Sequence, residues 1–546
     1  MIRLLAFLSL ILAPVLAQLP PSYDAFVGAR ERGDIAALEN LSGEQGYVRI
    51  LAARELSRQP GLSPGRRLEL AELAARFDGS AADWIWVGRL REVLGDVAGA
   101  AMAYGNALPG DEAEEALARL AASGVREVYQ ILFDKRSYSR LLAVLPPDEE
   151  TWRARALLRL RRYREALPLY RRWAQKEPSG RLGLGWALFG LGHFGEAAGV
   201  FRSVAGAEGK YGLGRAYEAL GKAMEAVRAY QESGRPGALW RATALLERQG
   251  RIAEALLLYR RLARSGSDYA DDATLRIWVL ARRRGDKATE TWAYEQLQGG
   301  LAVLAGKPGP RPPGRGSPLE TPPRLAEKVR RLLDSGRADW AWGEARWQAR
   351  RFLAEGRVAV AWSVVALLEH LGMWGKGLRL AGEIPFDGRD GRFWRLLYPR
   401  AYPSEVAAAA REFGLEPELI WAVMRVESRF NPRAVSPTGA RGLMQFTAAT
   451  WKDVAKRLGS PGASPFDVAS AVRFGAYYLA HLLEGCGLQI VCALTGYNGG
   501  PGYTRRALDA VRGDVWDFMR FQPRDEPREY VERVLRVYAV YKRLYR

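Results

Sequence analysis

A glycine–glycine–alanine–aromatic pattern recurs between about residues 20 and 300, and it constrains the fold more than any other feature of the chain. Gly88, Gly95, Ala100 and Tyr104 set the offsets. They return at Gly185, Gly192, Ala197 and Phe201, at Gly214, Gly221, Ala226 and Tyr230, and, without the first glycine, at Gly250, Ala255 and Tyr259. Weaker copies stand at Gly285 and Tyr294 and at Ala166 and Tyr170. The marker glycines 192, 221, 250 and 285 are 29, 29 and 35 residues apart. Between them the chain is rich in Ala, Leu, Arg and Glu and poor in proline, which reads as helix. The first glycine and the alanine let two helices approach closely. The second glycine ends the first helix, and the aromatic fills the gap between pairs. One such pair cannot bury its apolar face alone, so neighbours must stack.

This period and pattern resemble the tetratricopeptide repeat, a helix–turn–helix unit of about 34 residues. The expected architecture is all-α, with an α-superhelix of such pairs over 18–305. Residues 306–323 (GKPGPRPPGRGSPLETPP) contain eleven prolines and glycines and read as a linker. Helical pattern resumes over 324–395 with Trp340, Trp342, Trp347, Trp362 and Trp374. Tryptophans at helical spacing read as core, although an exposed indole can also stack on a sugar ring.

With 546 residues, 48% of them hydrophobic, the chain has material for three or four domains and is not disordered. Three histidines (His193, His370, His481) and two cysteines leave no set for a four-ligand zinc site. The net charge is +20. Residues 401–546 hold 20 Lys/Arg against 15 Asp/Glu, and the rest holds 61 against 46, an excess of 15. That sign favours a polyanion such as nucleic acid, anionic lipid or an anionic wall polymer; an arginine-rich surface with no particular partner is the alternative. If the charge meets an anionic wall, binding should weaken with salt.

The amino terminus narrows the partner. Arg3 precedes an apolar run, Leu4 to Leu16, too short for a bilayer that needs about 20 residues, and cleavage after Ala17 fits a signal peptide over 1–17. The expectation is a secreted, periplasmic or cell-envelope protein with no membrane span after cleavage and no nucleic-acid partner.

The segment 396–546 carries the chemistry. Pro417 opens a helix, PELIWAVMRVESRF, whose apolar stripe is Ile420, Val423, Met424, Glu427 and Phe430. A carboxyl on an inward face is costly to ionise, and its pKa should rise toward about six. Such an acid can protonate the leaving oxygen of an acetal; a structural glutamate paired with Arg425 or Arg429 is the alternative. Next come Ser436-Pro437-Thr438-Gly439-Ala440-Arg441-Gly442-Leu443-Met444-Gln445, with Met444 and Gln445 expected in the first turn of a helix. Thr495 to Gly502 reads as a glycine-rich loop presenting Tyr497 and Asn498, and Glu526-Pro527-Arg528-Glu529-Tyr530-Val531 opens a final helix.

In this order and at these spacings, the motifs resemble the catalytic domain of the soluble lytic murein transglycosylases, which has a goose-lysozyme-like, mainly helical fold. The helical body resembles that of the large members of the family. The resemblance implies that Glu427 is the sole catalytic acid/base. It implies that Ser436, Met444, Gln445, Tyr497 and Asn498 line a sugar-binding groove, with Glu526 supporting the site through hydrogen bonds. Gly496 and Pro527 depart from the family's usual Ala and Thr without removing a functional group.

Glycosidases ordinarily use two carboxylates. Here only Glu427 lies on an apolar stripe, while Asp453, Asp467 and Glu484 fall among polar residues. The implied reaction therefore uses one acid twice, cleaving the MurNAc-β-1,4-GlcNAc bond of peptidoglycan and leaving 1,6-anhydro-MurNAc ends. Two readings stay open beside it: a hydrolytic muramidase using the same Glu427, and a non-catalytic helical-repeat scaffold that binds the wall. No metal or cofactor is called for. Glycan strands are the expected partner, and wall-synthesis proteins are candidates for the helical body. Cys486 and Cys492, six apart, could form a disulfide in an oxidising compartment or remain two thiols.

Overall fold

The computed structural model describes residues 18–297, 299–307, 319–487, 489–521 and 525–545. The expected signal peptide and most of the Pro/Gly-rich linker lie outside these residues. Among them the chain is helical throughout, and the only extended pairings are the isolated bridges Val435–Arg441 and Arg441–Phe446. No described helix is long and apolar enough to cross a membrane.

The chain gathers into two compact units, and each is built from two separated stretches. One runs to Arg235 and takes in Pro323–Gln348; the other comprises Pro236–Pro322 and Ala349–Arg546.

The first unit is made of consecutive antiparallel pairs, among them Ala81–Val93 with Val97–Ala107, Arg181–Gly190 with Phe194–Arg202, and Gly206–Ala219 with Ala223–Ser233. The repeat residues do what their chemistry requires. The turn glycines Gly95, Gly192 and Gly221 sit at φ of 77°, 84° and 74°, a conformation that resists a side chain. Gly88, Gly185 and Gly214 lie under the rings of Tyr104, Phe201 and Tyr230, where a Cβ would come within 2.5 Å of a ring carbon. Ala100, Ala197 and Ala226 are completely buried. The repeat also carries a partner unread in the sequence: the hydroxyls of Tyr104 and Tyr230 donate to Glu92 and Glu218, twelve residues earlier in each case.

A buried carboxylate closes this unit on itself. Glu344 is fully enclosed; its Oε2 accepts from the Tyr23 hydroxyl at 2.7 Å and from the Tyr47 backbone N–H at 2.9 Å, and Lys328 pairs with its Oε1 at 3.0 Å. Of the tryptophans read as core, Trp362 and Trp342 are buried, while Trp340, Trp347 and Trp374 are half-buried.

In the second unit, the pairing of Tyr259 with Glu247 repeats the twelve-residue offset. Glu247 also receives Arg276, and Arg520 reaches the Tyr259 hydroxyl at 2.6 Å and the Trp240 carbonyl at 2.7 Å. Arg528 pairs with Asp272. Buried guanidinium groups thus bolt the last 30 residues to the stretch 240–276. That contact holds the terminal helix, Asp525–Tyr545, which packs on Pro417–Ser428 and Ile490–Gly499.

Candidate active site

Pro417 occupies the first position of the helix Pro417–Ser428, where its missing N–H costs nothing. Ile420, Val423, Met424 and Phe430 are completely buried, so the predicted stripe is the packed face. Glu427, the penultimate residue of the helix, is half-buried. Two successive non-glycine residues in the left-handed region follow it: Arg429 at φ 50° and Phe430 at φ 62°. Such a pair costs free energy and persists only where surrounding contacts impose it. Here the Tyr402 hydroxyl donates to the Phe430 carbonyl at 3.3 Å, and the bare Cα of Gly375 lies against the same backbone.

Burial pushes the Glu427 carboxyl up to about 7. Two groups oppose it: the Tyr530 hydroxyl, which donates to Oε1 at 2.6 Å, and the positive charge of Arg533. Neither Arg425 nor Arg429 holds the carboxyl. Arg425 donates to the Leu397 carbonyl and lies over the Tyr398 ring, and Arg429 is exposed. The acid is therefore poised between its two states at neutral pH, as proton transfer in both directions requires.

A compact loop follows. The Ser436 hydroxyl accepts from the Ala440 N–H at 3.0 Å and bonds Thr438 at 3.0 Å, closing the Ser436–Ala440 turn. Gly442, at φ 73°, passes so close to the Pro465 carbonyl that a Cβ would stand 1.8 Å from its oxygen. Met444 is buried against Gly475. Gln445, at φ 50°, donates its amide to the carbonyls of Gly442 at 2.9 Å and Ala434 at 3.3 Å. Met444 and Gln445 precede the next helix, which begins at Ala448, rather than opening it. The Thr447 side chain caps that helix and sets its start.

The glycine-rich stretch is likewise not a loop. Ile490–Gly499 is a helix that includes Tyr497 and Asn498, and only Gly500, at φ 86°, separates it from the helix Pro501–Asp509. Gly496 and Gly499 are there for packing, against Leu482 and Tyr503. The Tyr497 hydroxyl donates to the Met444 carbonyl at 2.9 Å, tying this helix to the Gln445 loop. Its ring lies parallel to that of Tyr530 at 6.4 Å and beside Tyr478 at 5.5 Å. Asn498 is exposed at the helix end. Glu526 is exposed in the first turn of the terminal helix; the group bonded to Glu427 is Tyr530, one turn further on.

Tyr530, which the terminal motif contains with no role assigned to it, and Arg533, which lies beyond that motif, are the site residues the structure adds. The signal available was their spacing of one helical turn from Glu526 and Glu529 in the terminal helix. Cys486 and Cys492 are joined as a disulfide, Cα to Cα 5.8 Å, between the helices Val468–Gly485 and Ile490–Gly499. Beside it an open cleft of about 530 Å³ has Tyr478, Arg457, His481 and Arg505 in its walls. Glu427 is not in those walls; Tyr478, its ring tilted against that of Tyr497, is the link between cleft and acid.

Residues 404–514 match the family described as the transglycosylase SLT domain. A membrane-bound lytic murein transglycosylase C of Salmonella arizonae is 33% identical over 167 residues, covering 26% of this chain and 46% of the relative. A soluble lytic murein transglycosylase of Escherichia coli K12 is 27% identical over 317 residues, covering 56% and 43%. The chain thus spans under half the length of these curated relatives. Among solved structures, a lytic transglycosylase Slt of Pseudomonas aeruginosa aligns over 96% of this chain and 97% of its own, with TM-score 0.61 and 19% identity. The 70-kDa soluble lytic transglycosylase of E. coli aligns over 95% and 96%, with TM-score 0.62 and 17% identity. The fold is therefore the expected all-α one, shared over nearly its whole length with these two structures, and residues 404–514 match the model of the transglycosylase SLT domain.

Proposed function

We propose that the chain is a peptidoglycan lytic transglycosylase in which Glu427 is the single general acid and base. The observation that carries this reading is a half-buried carboxyl lifted to about 7 and hydrogen-bonded to Tyr530, inside the SLT domain. Protonated Glu427 gives its proton to the glycosidic oxygen between N-acetylmuramic acid and N-acetylglucosamine, and the C1–O bond breaks. The carboxylate so formed is favoured by the Tyr530 hydroxyl and by Arg533. It then takes the proton of the muramic C6 hydroxyl, whose oxygen bonds to C1 and closes the 1,6-anhydro ring. The internal nucleophile supplies a high effective molarity, so neither water nor a second carboxylate is required. Asp453 and Asp467 are engaged elsewhere, the first with Arg457 and the second as the cap of its helix.

In the same reading, 396–546 is the catalytic region and the Gln445 loop, Tyr497 and Asn498 border the glycan. Ser436 and Met444 shape the loop from within. Residues 1–17 direct the chain to the cell envelope, and the helical body serves partners there. Digestion of purified wall followed by mass spectrometry is the test. The expected product ends are anhydro sugars, lighter by one water and resistant to borohydride, and Glu427→Gln abolishes them. Reducible ends would identify a muramidase, and unchanged cleavage by Glu427→Gln would remove Glu427 from the chemistry.

A further inference from the structure

A cavity in the first unit lies far along the chain from Glu427. About 800 Å³ in volume, it runs across three successive helix pairs. Arg155, Trp186 and Arg215 enter its walls from Glu150–Arg159, Arg181–Gly190 and Gly206–Ala219, the first helices of those pairs, at intervals of 31 and 29 residues. The repeat therefore presents one face in register, as an extended ligand needs.

The chemistry of the walls is one-sided. Several arginines of this unit, among them Arg54, Arg91, Arg119 and Arg172, face carboxylates. Arg155, Arg159, Arg161 and Arg215 line the cavity, and no ion pair to a carboxylate engages them among the described residues. Three instead lie over rings: Arg155 over Phe133 and Trp152 at 4.6 and 4.4 Å, Arg159 over Phe133 at 5.8 Å, and Arg215 over Phe189 at 5.2 Å. The ring holds the guanidinium and leaves N–H groups for a ligand. Between the two ends the floor is apolar, with Leu158, Leu182 and Trp186.

We propose that this groove binds an extended acidic polypeptide segment of a partner protein, with carboxylates at Arg155/Arg159 and at Arg215 and apolar side chains between. A neutral sugar chain fits the walls poorly. Its hydroxyls need acceptors as well as donors, and the walls contain no Asp, Asn, Gln or His, only the hydroxyls of Tyr163, Tyr170 and Ser179. Their one carboxylate, Glu208, is already paired with Arg235 at 2.5 Å. Charge-assisted bonds to guanidinium forks provide orientation, and the desolvated apolar centre provides affinity.

Fluorescence anisotropy of the full chain with a labelled peptide, ELDELFELDE, tests this. Binding is expected at low salt, with about tenfold loss for the Gln/Asn version of the peptide and for the double variant Arg159→Gln, Arg215→Gln. Arg171→Gln with Arg228→Gln, which removes equal charge from exposed helix faces, should stay within about twofold. Hydrogen exchange on the unaltered protein is the second readout, with protection expected in the three helices named. Four results would overturn the proposal: no binding, equal loss in both double variants, protection confined elsewhere, or a chitin hexasaccharide bound at these helices in preference to the peptide.

Discussion

Glu427 must hold a proton for one half of the proposed reaction and collect one in the other, and its neighbours set how evenly it can do both. Tyr530 favours the ionised form. A hydrogen bond to a charged group is worth about 1.5–3 kcal/mol, and one pKa unit is about 1.4 kcal/mol. Tyr530→Phe should therefore displace the pH–rate profile upward by about one unit and lower the rate at neutral pH; an unmoved profile would leave Tyr530 a packing residue. The same carboxyl burdens the fold. Its pKa is raised in the folded chain from an ordinary 4.5 to about 7, so between those values the unfolded chain ionises while the folded one does not, and stability falls as pH rises. Glu427→Gln should accordingly raise stability at pH 8 by about 2 kcal/mol, allowing for partial exposure, and bring little gain at pH 4, as thermal melts would show. The acid was legible because a charged residue interrupts an apolar stripe. Tyr530 was not, because a tyrosine on an inward helix face is as well explained by packing as by proton chemistry.

At the scale of the helix pair, two kinds of glycine separate cleanly. Gly214 lies under the Tyr230 ring with φ in the helical range, so Gly214→Ala forces a Cβ into the ring and should cost about 1–3 kcal/mol despite alanine's better helix propensity. Gly221 has open space where a Cβ would stand, with no atom within 4 Å, but sits at φ 74°, so Gly221→Ala should cost only about 1 kcal/mol, from backbone strain alone. Chemical denaturation of the two variants distinguishes them. The repeat period made both positions readable. The tyrosine–glutamate pairs escaped notice because glutamate is common on exposed helical faces, although Glu92, Glu218 and Glu247 each stand three residues before the turn glycine of their repeat. The glycine-rich stretch at 496–502 misled for the opposite reason: glycines that permit close helix packing look, in one dimension, like glycines that permit turns.

At the scale of the whole molecule, sequence order and spatial order part company. Each compact unit is assembled from two stretches, a fact without local signature, since a buried arginine and its distant carboxylate look like ordinary surface charges until they meet. The catalytic region should therefore be a poor autonomous fragment. Residues 396–546 expressed alone leave Arg520 and Arg528 without Tyr259, the Trp240 carbonyl and Asp272. The same deletion strips the terminal helix of its packing against Gly299–Leu304. The fragment should melt well below the full chain and recover when 236–322 is supplied in trans; equal melting temperatures would contradict this.

The enclosed Glu344 has a consequence for how the protein is made. Tyr23 leaves the ribosome 321 residues before its acceptor exists. At about 5–20 residues per second, translation leaves the amino-terminal helices waiting roughly 16 to 64 seconds for the carboxylate that completes them. A nascent chain halted before that point carries an unfinished edge, and it is there that chaperones and proteases have their longest access.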